Sequence, residues 1–235
     1  MTRLFLSDLH LADPQTPAFR TFASLMAQHS ARVDEIYLLG DLCEVWVGDD
    51  DDGPLARALI EVLAQAARAA RVFVMRGNRD FLFAERFQAE SGATLIADPY
   101  RLDARTLLAH GDAFCIDDQQ YQEVRKMLRS PDWQQQVLAR TLVERRALAQ
   151  AMRQQSAATN ANKAENIMDV SLSEVARVVA EHGCERLIHG HTHRPGIHPA
   201  PWGQRYVLGA WERCGWILEQ DQTGALSLQC LPLQR

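Results

Sequence analysis

Three short apolar runs, Arg3-Leu4-Phe5-Leu6-Ser7, Glu35-Ile36-Tyr37-Leu38-Leu39 and Arg71-Val72-Phe73-Val74-Met75, each stop at polar residues able to hold a metal. The stops are Asp8-Leu9-His10, Gly40-Asp41 and Gly77-Asn78-Arg79-Asp80. Between the runs lie stretches with helical character. One covers about 18–28; a second starts at Pro54, whose fixed φ suits a first helical turn, and repeats Leu55, Leu59, Val62 and Leu63 through about residue 70. A third is expected over 82–90. This strand–helix alternation predicts a mostly parallel sheet with its chemistry along the edge where the strands end. Read as extended chain, Asp8-Leu9-His10 points its two polar side chains the same way.

After Gly92 the texture changes to strands, at 94–97, 100–102 and 106–109, the last running into His110-Gly111-Asp112. From 118 to 169 no strand pattern occurs, and helices are expected. Between 119 and 163 basic residues outnumber acidic ones eight to three, although the whole chain carries a net charge of -5. This segment reads either as a helical cap over an anionic, partly apolar ligand or as an ordinary solvated helical face. A helix at 171–182 leads to a strand at 186–188 and then to His189-Gly190-His191-Thr192-His193. Strands at 206–209, 215–218 and 226–228 are expected to be antiparallel. The fold class is therefore α/β: a two-sheet β-sandwich flanked by helices, with its core at 1–117 and 170–235 and a helical cap insertion at 118–169.

The acidic net charge and a pI near 5.9 argue against a nucleic-acid partner. The cysteines Cys43, Cys115, Cys184, Cys214 and Cys230 are odd in number and scattered, so they suggest neither a disulfide framework nor a zinc ribbon. The first apolar run is interrupted at Asp8, too early for a secretory signal, and no stretch has the length of a membrane span. A cytoplasmic protein, or one bound to a membrane only at its surface, is expected. The acidic run from Asp49 to Asp52 is expected to be a solvated loop, with metal binding as the alternative.

Five strand ends thus carry Asp, Asn or His, residues that gain little from burial unless paired. The ordered set Asp8-Leu9-His10, Gly40-Asp41, Gly77-Asn78, His110-Gly111-Asp112 and Gly190-His191-Thr192-His193 resembles the calcineurin-like metallophosphoesterases over nearly the full chain. The resemblance implies a metallophosphoesterase-type sandwich with two metal ions. Asp8, His10, Asp41 and His193 would hold one ion, and Asp41, Asn78, His110 and His191 the other, with Asp41 shared. Imidazole and oxygen ligands together suit manganese, iron or zinc better than calcium. Such a pair of ions activates water for in-line attack on phosphorus, and its remaining positive charge favours an anionic substrate. Asp80 and Asp112 are candidates for orienting ligands; His189 is either another or hydrogen-bonded structure.

One position departs from the wider superfamily, where the third motif often reads Gly-Asn-His and that His can protonate an alkoxide. Here it is Arg79, which stays charged and cannot serve as a general acid. A phosphate leaving group, with a second pKa near 6, needs no such proton. Arg79 is expected to bind phosphate oxygens instead, which points to a pyrophosphate substrate. This variant and the position of the helical insertion resemble the UDP-2,3-diacylglucosamine hydrolases of lipid A synthesis. That resemblance implies manganese, water attack on the α-phosphorus, and release of UMP and 2,3-diacylglucosamine 1-phosphate. It puts substrate contacts at Asn78, Arg79, Asp118, Ser156, Asn160, Lys163 and His191.

Two acyl chains would need an apolar chamber, for which Leu128, Trp133, Val137, Leu138, Leu142, Val143, Leu148, Met152, Ile167 and Met168 are available. Basic residues on the outside of the cap would draw the protein to the anionic cytoplasmic surface of the inner membrane. No obligate protein partner is implied. The rival readings are another phosphodiesterase or phosphatase of the same chemistry, and a scaffold of the same fold without catalysis.

Overall fold

The computed structural model describes residues 1–160 and 169–234, with the side chains of Ala157, Thr159 and Asn160 left out. Six strands form the first sheet in the order β11-β10-β1-β2-β3-β4: β1 (Arg3–Leu6), β2 (Glu35–Leu38), β3 (Arg71–Met75), β4 (Thr94–Ile96), β10 (Cys214–Gln220) and β11 (Leu226–Pro232). From β1 to β4 the strands are parallel, crossed over by helices α1 (Pro17–His29), α2 (Pro54–Ala66) and α3 (Glu85–Ser91). The second sheet has the order β5-β6-β7-β9-β8, from β5 (Tyr100–Arg101), β6 (Thr106–Leu108), β7 (Arg186–His189), β8 (Gly196–Ala200) and β9 (Gly203–Val207). Its central strands β6, β7 and β9 run parallel.

The alternation of side chains along each strand explains the layering. Leu4, Leu6, Ile36, Leu38, Val72 and Val74 face outward and pack with Phe19, Phe22, Leu59, Leu63 and Phe87 of α1, α2 and α3. The intervening Phe5, Tyr37 and Met75 face inward and meet Leu108, Ile188 and Tyr206 of the second sheet. Phe5, Tyr37 and Phe73 stack across three neighbouring strands with ring centroids 5.4 and 4.8 Å apart. Leu107 and Leu187 turn the other way, onto Val175, Val178 and Val179 of α7 (Leu172–Glu181). The result is a helix–sheet–sheet–helix sandwich, in which each fully buried Leu or Phe contributes about 1.5–3 kcal/mol.

Local signals set the helix starts. Thr16 caps α1 through the amide of Phe19, and Pro17 and Pro54 occupy the first turns of α1 and α2. Helix α2 ends at Ala66 rather than near residue 70, because 67–69 turn the chain into β3. Strand β8 has no counterpart in the sequence reading: its burial alternates at only half depth, and Pro199 lies inside it, as edge strands permit. Strand β9 pairs antiparallel with β8 but parallel with β7, so it is not simply one of an antiparallel series. Between 119 and 160 three helices form, α4 (Gln119–Leu128), α5 (Pro131–Leu138) and α6 (Leu142–Asn160).

The hairpin of β10 and β11 brings Cys214 and Cys230 together as a disulfide, with Cα atoms 5.9 Å apart, while Cys43, Cys115 and Cys184 are buried thiols. The scattered spacing in sequence concealed this pair, because only the register of the hairpin makes them neighbours. No helix among the described residues is long and apolar enough to cross a membrane.

Candidate metal and phosphate site

The loops after β1, β2, β3, β6 and β7 converge at one edge of the sandwich and are locked to one another mainly through their backbones. The amides of Asp8 and His10 donate to the carbonyls of Gly40 and Asp41 at 3.1 and 3.0 Å. Buried Asp80 accepts from the amides of Gly77 and Leu42, both at 2.7 Å, and so ties the second loop to the third. The amide of Arg79 donates to Asp41 Oδ1 (2.9 Å), and that of His191 to Asp8 Oδ2 (2.8 Å). The amide of Gly190 reaches the carbonyl of His110 at 2.9 Å.

Two glycines permit this approach. A Cβ on Gly77 would overlap Asp41, and one on Gly190 would overlap Asp8 and Ser7. Gly77 is therefore required for space, not for a left-handed turn as its strand-end position alone suggests.

Asp8, His10, Asp41, His191 and His193 are the only non-glycine residues with positive φ among those described, with values from 47 to 66°. Each left-handed residue costs about 1–2 kcal/mol, and such strain concentrates at functional sites. Asp8 and His10 do point to a common centre, but through this left-handed backbone rather than the alternation of an extended strand.

The donor atoms cluster in two overlapping groups. Ligand atoms of Asp8, His10 and His193 lie within 4.8 Å of one another, as do those of Asp8, Asp41 and His110. The Nε2 atoms of His10 and His193 face each other at 3.1 Å, and His193 Nε2 lies 3.5 Å from Asp8 Oδ1. On the other side, Asn78 Oδ1 stands 2.9 Å from both His110 Nε2 and His191 Nδ1. Asp41 reaches both sides, Oδ2 at 3.9 Å from His10 Nε2 and Oδ1 at 3.8 Å from His110 Nε2. Asp8 Oδ1 is buried, with His193 Nε2 at 3.5 Å as its facing polar group. Buried carboxylates and converging imidazole lone pairs are unfavourable unless a cation compensates them, so this donor set fits divalent ions.

The charges follow from burial and proximity. Burial alone would raise Asp8, but a hydrogen bond to His193 and the His110, His193 and His10 rings hold its carboxyl below the usual range. Burial would lower His110, yet Asp41, Asp112, Asp8 and Asp98 lift it to about 9. Burial and then His110 push His191 down to about 4. Burial and then Asp41 raise Asp80 to about 6. Burial and neighbouring Arg205 lower His189 to about 3. The Nδ1 of His189 lies 2.9 Å from the carbonyl of Gly190, and Arg205 donates toward its Nε2 from 3.3 Å. Its contacts are those of hydrogen-bonded structure behind Gly190.

Asp112 has a role of attachment. Its Oδ2 accepts from Tyr121 Oη (2.9 Å) and Arg125 Nε (2.8 Å), with Arg129 at 3.5 Å, all on α4 or its C-terminal end. Arg129 also donates to the carbonyl of Gly77 at 3.0 Å. The acidic run is likewise not a free solvated loop. Asp49 accepts from Trp46 Nε1 and from the amides of Ala84 and Phe87, Asp50 pairs with Arg145 at 2.5 Å, and Asp51 pairs with Arg146 at 2.5 Å. The basic residues of the helical segment therefore turn largely inward, contrary to an outward-facing basic surface.

Two cavities meet at the site. A polar basin is lined by His10, Asp41, Asn78, Arg79, Asp118, Tyr121, Ser156, His191 and His193. An apolar cavity of about 930 Å³, its open mouth included, runs on between the core and helices α4, α5 and α6. Leu128, Trp133, Val137, Leu148 and Met152 line it as expected of a chamber, whereas Leu138 and Val143 are exposed. Asn78, Arg79, Tyr121 and Ser156 border both spaces. Asp118 also caps α4 by accepting from the amide of Tyr121. Asn160 closes α6 with its side chain undescribed, and Lys163, Ile167 and Met168 lie outside the described residues. Sequence reasoning missed Tyr121, Glu44, Trp46 and Arg153 on these walls. The one available signal was that Tyr121 falls a helical turn after Asp118.

Residues 1–195 match the calcineurin-like phosphoesterase family. The chain belongs to that family. It is 45% identical over 232 residues to a UDP-2,3-diacylglucosamine hydrolase of Cellvibrio japonicus (strain Ueda107), covering 95% of this chain and 97% of the relative. A UDP-2,3-diacylglucosamine hydrolase of Chromobacterium violaceum is 45% identical over 227 residues, with 92% and 94% covered. Among solved structures, a dimetal phosphatase from Danio rerio is similar with a TM-score of 0.54 at 15% identity, covering 100% of this chain and 97% of that one. An archaeal phosphodiesterase is similar with a TM-score of 0.52 at 13% identity, covering 98% and 100%. These two similarities concern the fold. Sequence identity places the chain with the UDP-2,3-diacylglucosamine hydrolases.

Proposed function

We propose that this chain is an enzyme that hydrolyses the pyrophosphate bond of UDP-2,3-diacylglucosamine, giving UMP and 2,3-diacylglucosamine 1-phosphate. The observation that carries the reading is the junction of a charged basin with an apolar cavity at Asn78, Arg79, Tyr121 and Ser156. A substrate with a diphosphate at one end and acyl chains at the other matches that junction. The relatives bear the name of this activity.

In this proposal Asp8, His10, Asp41 and His193 hold one divalent ion, and Asp41, Asn78, His110 and His191 hold the second, with manganese as the metal. Bound there, the ions supply an acidified water and neutralise charge on the phosphoryl oxygens. The chain's own residues do the rest. Arg79, whose Nε is buried without a hydrogen-bond partner among the described residues, binds phosphate oxygens and keeps the diphosphate in line. The leaving group is itself a phosphate, so the site needs no general acid where Arg79 stands. Asp118, Ser156, Asn160, Lys163 and His191 contribute further substrate contacts, and 118–169 acts as the cap over the acyl chains.

The same proposal puts the enzyme at the cytoplasmic face of the inner membrane, held peripherally. Arg125, Arg129, Arg145, Arg146 and Arg153 are engaged with core carboxylates, so attachment rests on apolar residues carried near the cap, Ile116, Val124, Met127 and Leu138, each 39–45% exposed.

Turnover of UDP-2,3-diacylglucosamine in ¹⁸O water with manganese tests the reaction. The label is expected in UMP, which identifies attack on the α-phosphorus. Label in the lipid phosphate would overturn the direction of attack, and no turnover with manganese would leave a non-catalytic scaffold.

A further inference from the structure

Glu44 lies where the wall of the apolar cavity meets the first loop of the metal site. Its amide donates to the carbonyl of Leu11 at 2.9 Å, next to the isolated bridge between Leu11 and Cys43, so its backbone is fixed beside His10. Its two carboxylate oxygens face different partners. Oε2 lies 3.3 Å from His10 Nδ1, within reach of charge attraction but not aligned as a hydrogen bond, so this buried nitrogen has no hydrogen-bond partner among the described residues; Oε1 pairs with the guanidinium of Arg153 on α6. The opposite nitrogen of that ring, Nε2, faces His193 and Asp41.

We infer that Glu44 is a positioning residue that sets the tautomer of His10 and couples it to the docking of α6. This rests on the two-ion reading above. A ring can offer Nε2 to a cation only with its proton on Nδ1, and a carboxylate beside Nδ1 favours that tautomer and makes Nε2 the better donor. His110 reaches the same state differently: its Nδ1 stands 2.9 Å from the carbonyl of Leu39, a fixed backbone acceptor. His10 instead depends on a side chain shared with α6. An undocked α6 removes Arg153 from Glu44 and frees the carboxylate to move. Whatever strengthens the docking of α6 then strengthens ion binding at His10, and the reverse holds by linkage.

The test is manganese binding to the full-length protein by calorimetry, with the tautomer of His10 read by long-range ¹H–¹⁵N NMR in the metal-free protein. Glu44→Gln keeps the size but has one oxygen for two donors. The expected result is a loss of affinity for one of two ions by 10–100-fold, with the His10 proton no longer held on Nδ1. Arg153→Leu alone loosens α6 and frees the Glu44 carboxylate, and is expected to weaken the same ion by a smaller factor; unchanged affinity in that variant overturns the coupling to α6. Wild-type affinity in Glu44→Gln, or an unchanged tautomer, overturns the inference while leaving the two-ion reading intact. A wild-type protein that binds fewer than two manganese ions overturns the two-ion reading itself.

Discussion

Around Asp41, amides from the first and third strand-end loops meet carbonyl and carboxylate oxygens of the second. Helix α6 is joined to the same core by Arg145, Arg146 and Arg153, which reach Asp50, Asp51 and Glu44. The first arrangement is short-range, buried and largely backbone. The second is a row of long side chains, most of them partly exposed. The difference teaches that one region is held by short buried backbone contacts able to sustain strained geometry, and the other by side-chain pairs that each contribute less. Left-handed residues at five candidate ligand positions persist only where the surroundings over-determine them, and the interlocked amides do so. Charged pairs near water contribute little each, which is compatible with the cap role proposed for α6.

That contrast can be broken most severely at Asp41. In the proposed two-ion site Asp41→Asn removes the carboxylate assigned to both ions, and turnover is expected to fall by at least about 100-fold, with manganese binding lost in the same protein. UMP release and calorimetry read the two effects, and retained manganese binding would argue against Asp41 as the shared ligand.

Asp112 tests the point where the two regimes meet, since a buried carboxylate there receives charged donors from the helical segment. Asp112→Asn leaves Arg125 and Arg129 poorly compensated and is expected to cost about 3 kcal/mol of stability, measured by urea unfolding. Gly77→Ala probes the backbone regime alone. The added methyl overlaps Asp41 and is expected to cost about 2 kcal/mol by overpacking, with weaker manganese binding and an unchanged α6.

The smallest effect is expected on the charged side of the comparison. Arg145 holds the Asp50 carboxyl below its ordinary 3.8 through a hydrogen bond. A lowered carboxyl stabilises the fold above its unfolded pKa and loses that contribution as pH falls through the folded value. The wild type is expected to exceed Asp50→Asn by about 1 kcal/mol near neutrality, reduced because Asp50 is largely exposed. The gap should close below about pH 4. A gap that persists at pH 2 would mean that the pair is not the cause.

Much of this molecule is legible without coordinates. Apolar runs of alternating depth, closed by Asp, Asn or His, determined the strands, the helices between them and the residues able to meet at one edge. They did so because side-chain alternation and strand direction are local properties of the chain. Arg79 also carried its chemical meaning in the sequence, since a guanidinium cannot release a proton at any position. The sequence did not reveal β8, a half-buried edge strand, or the pairing of Cys214 with Cys230, which depends on hairpin register.

Nor could it assign partners to charges. The run Asp49 to Asp52 read as a solvated loop and the basic segment as either a cap or a solvated face, and the fold pairs Asp50 and Asp51 with Arg145 and Arg146 across about a hundred positions of sequence. Glu44 had no motif at all, and its place between His10 and Arg153 exists only after α6 has docked. Which strand ends carry candidate ligands is written along the chain. Which carboxylate lies beside which candidate ligand was decided by tertiary structure, because ion pairs and hydrogen bonds depend on distances that sequence separation does not set.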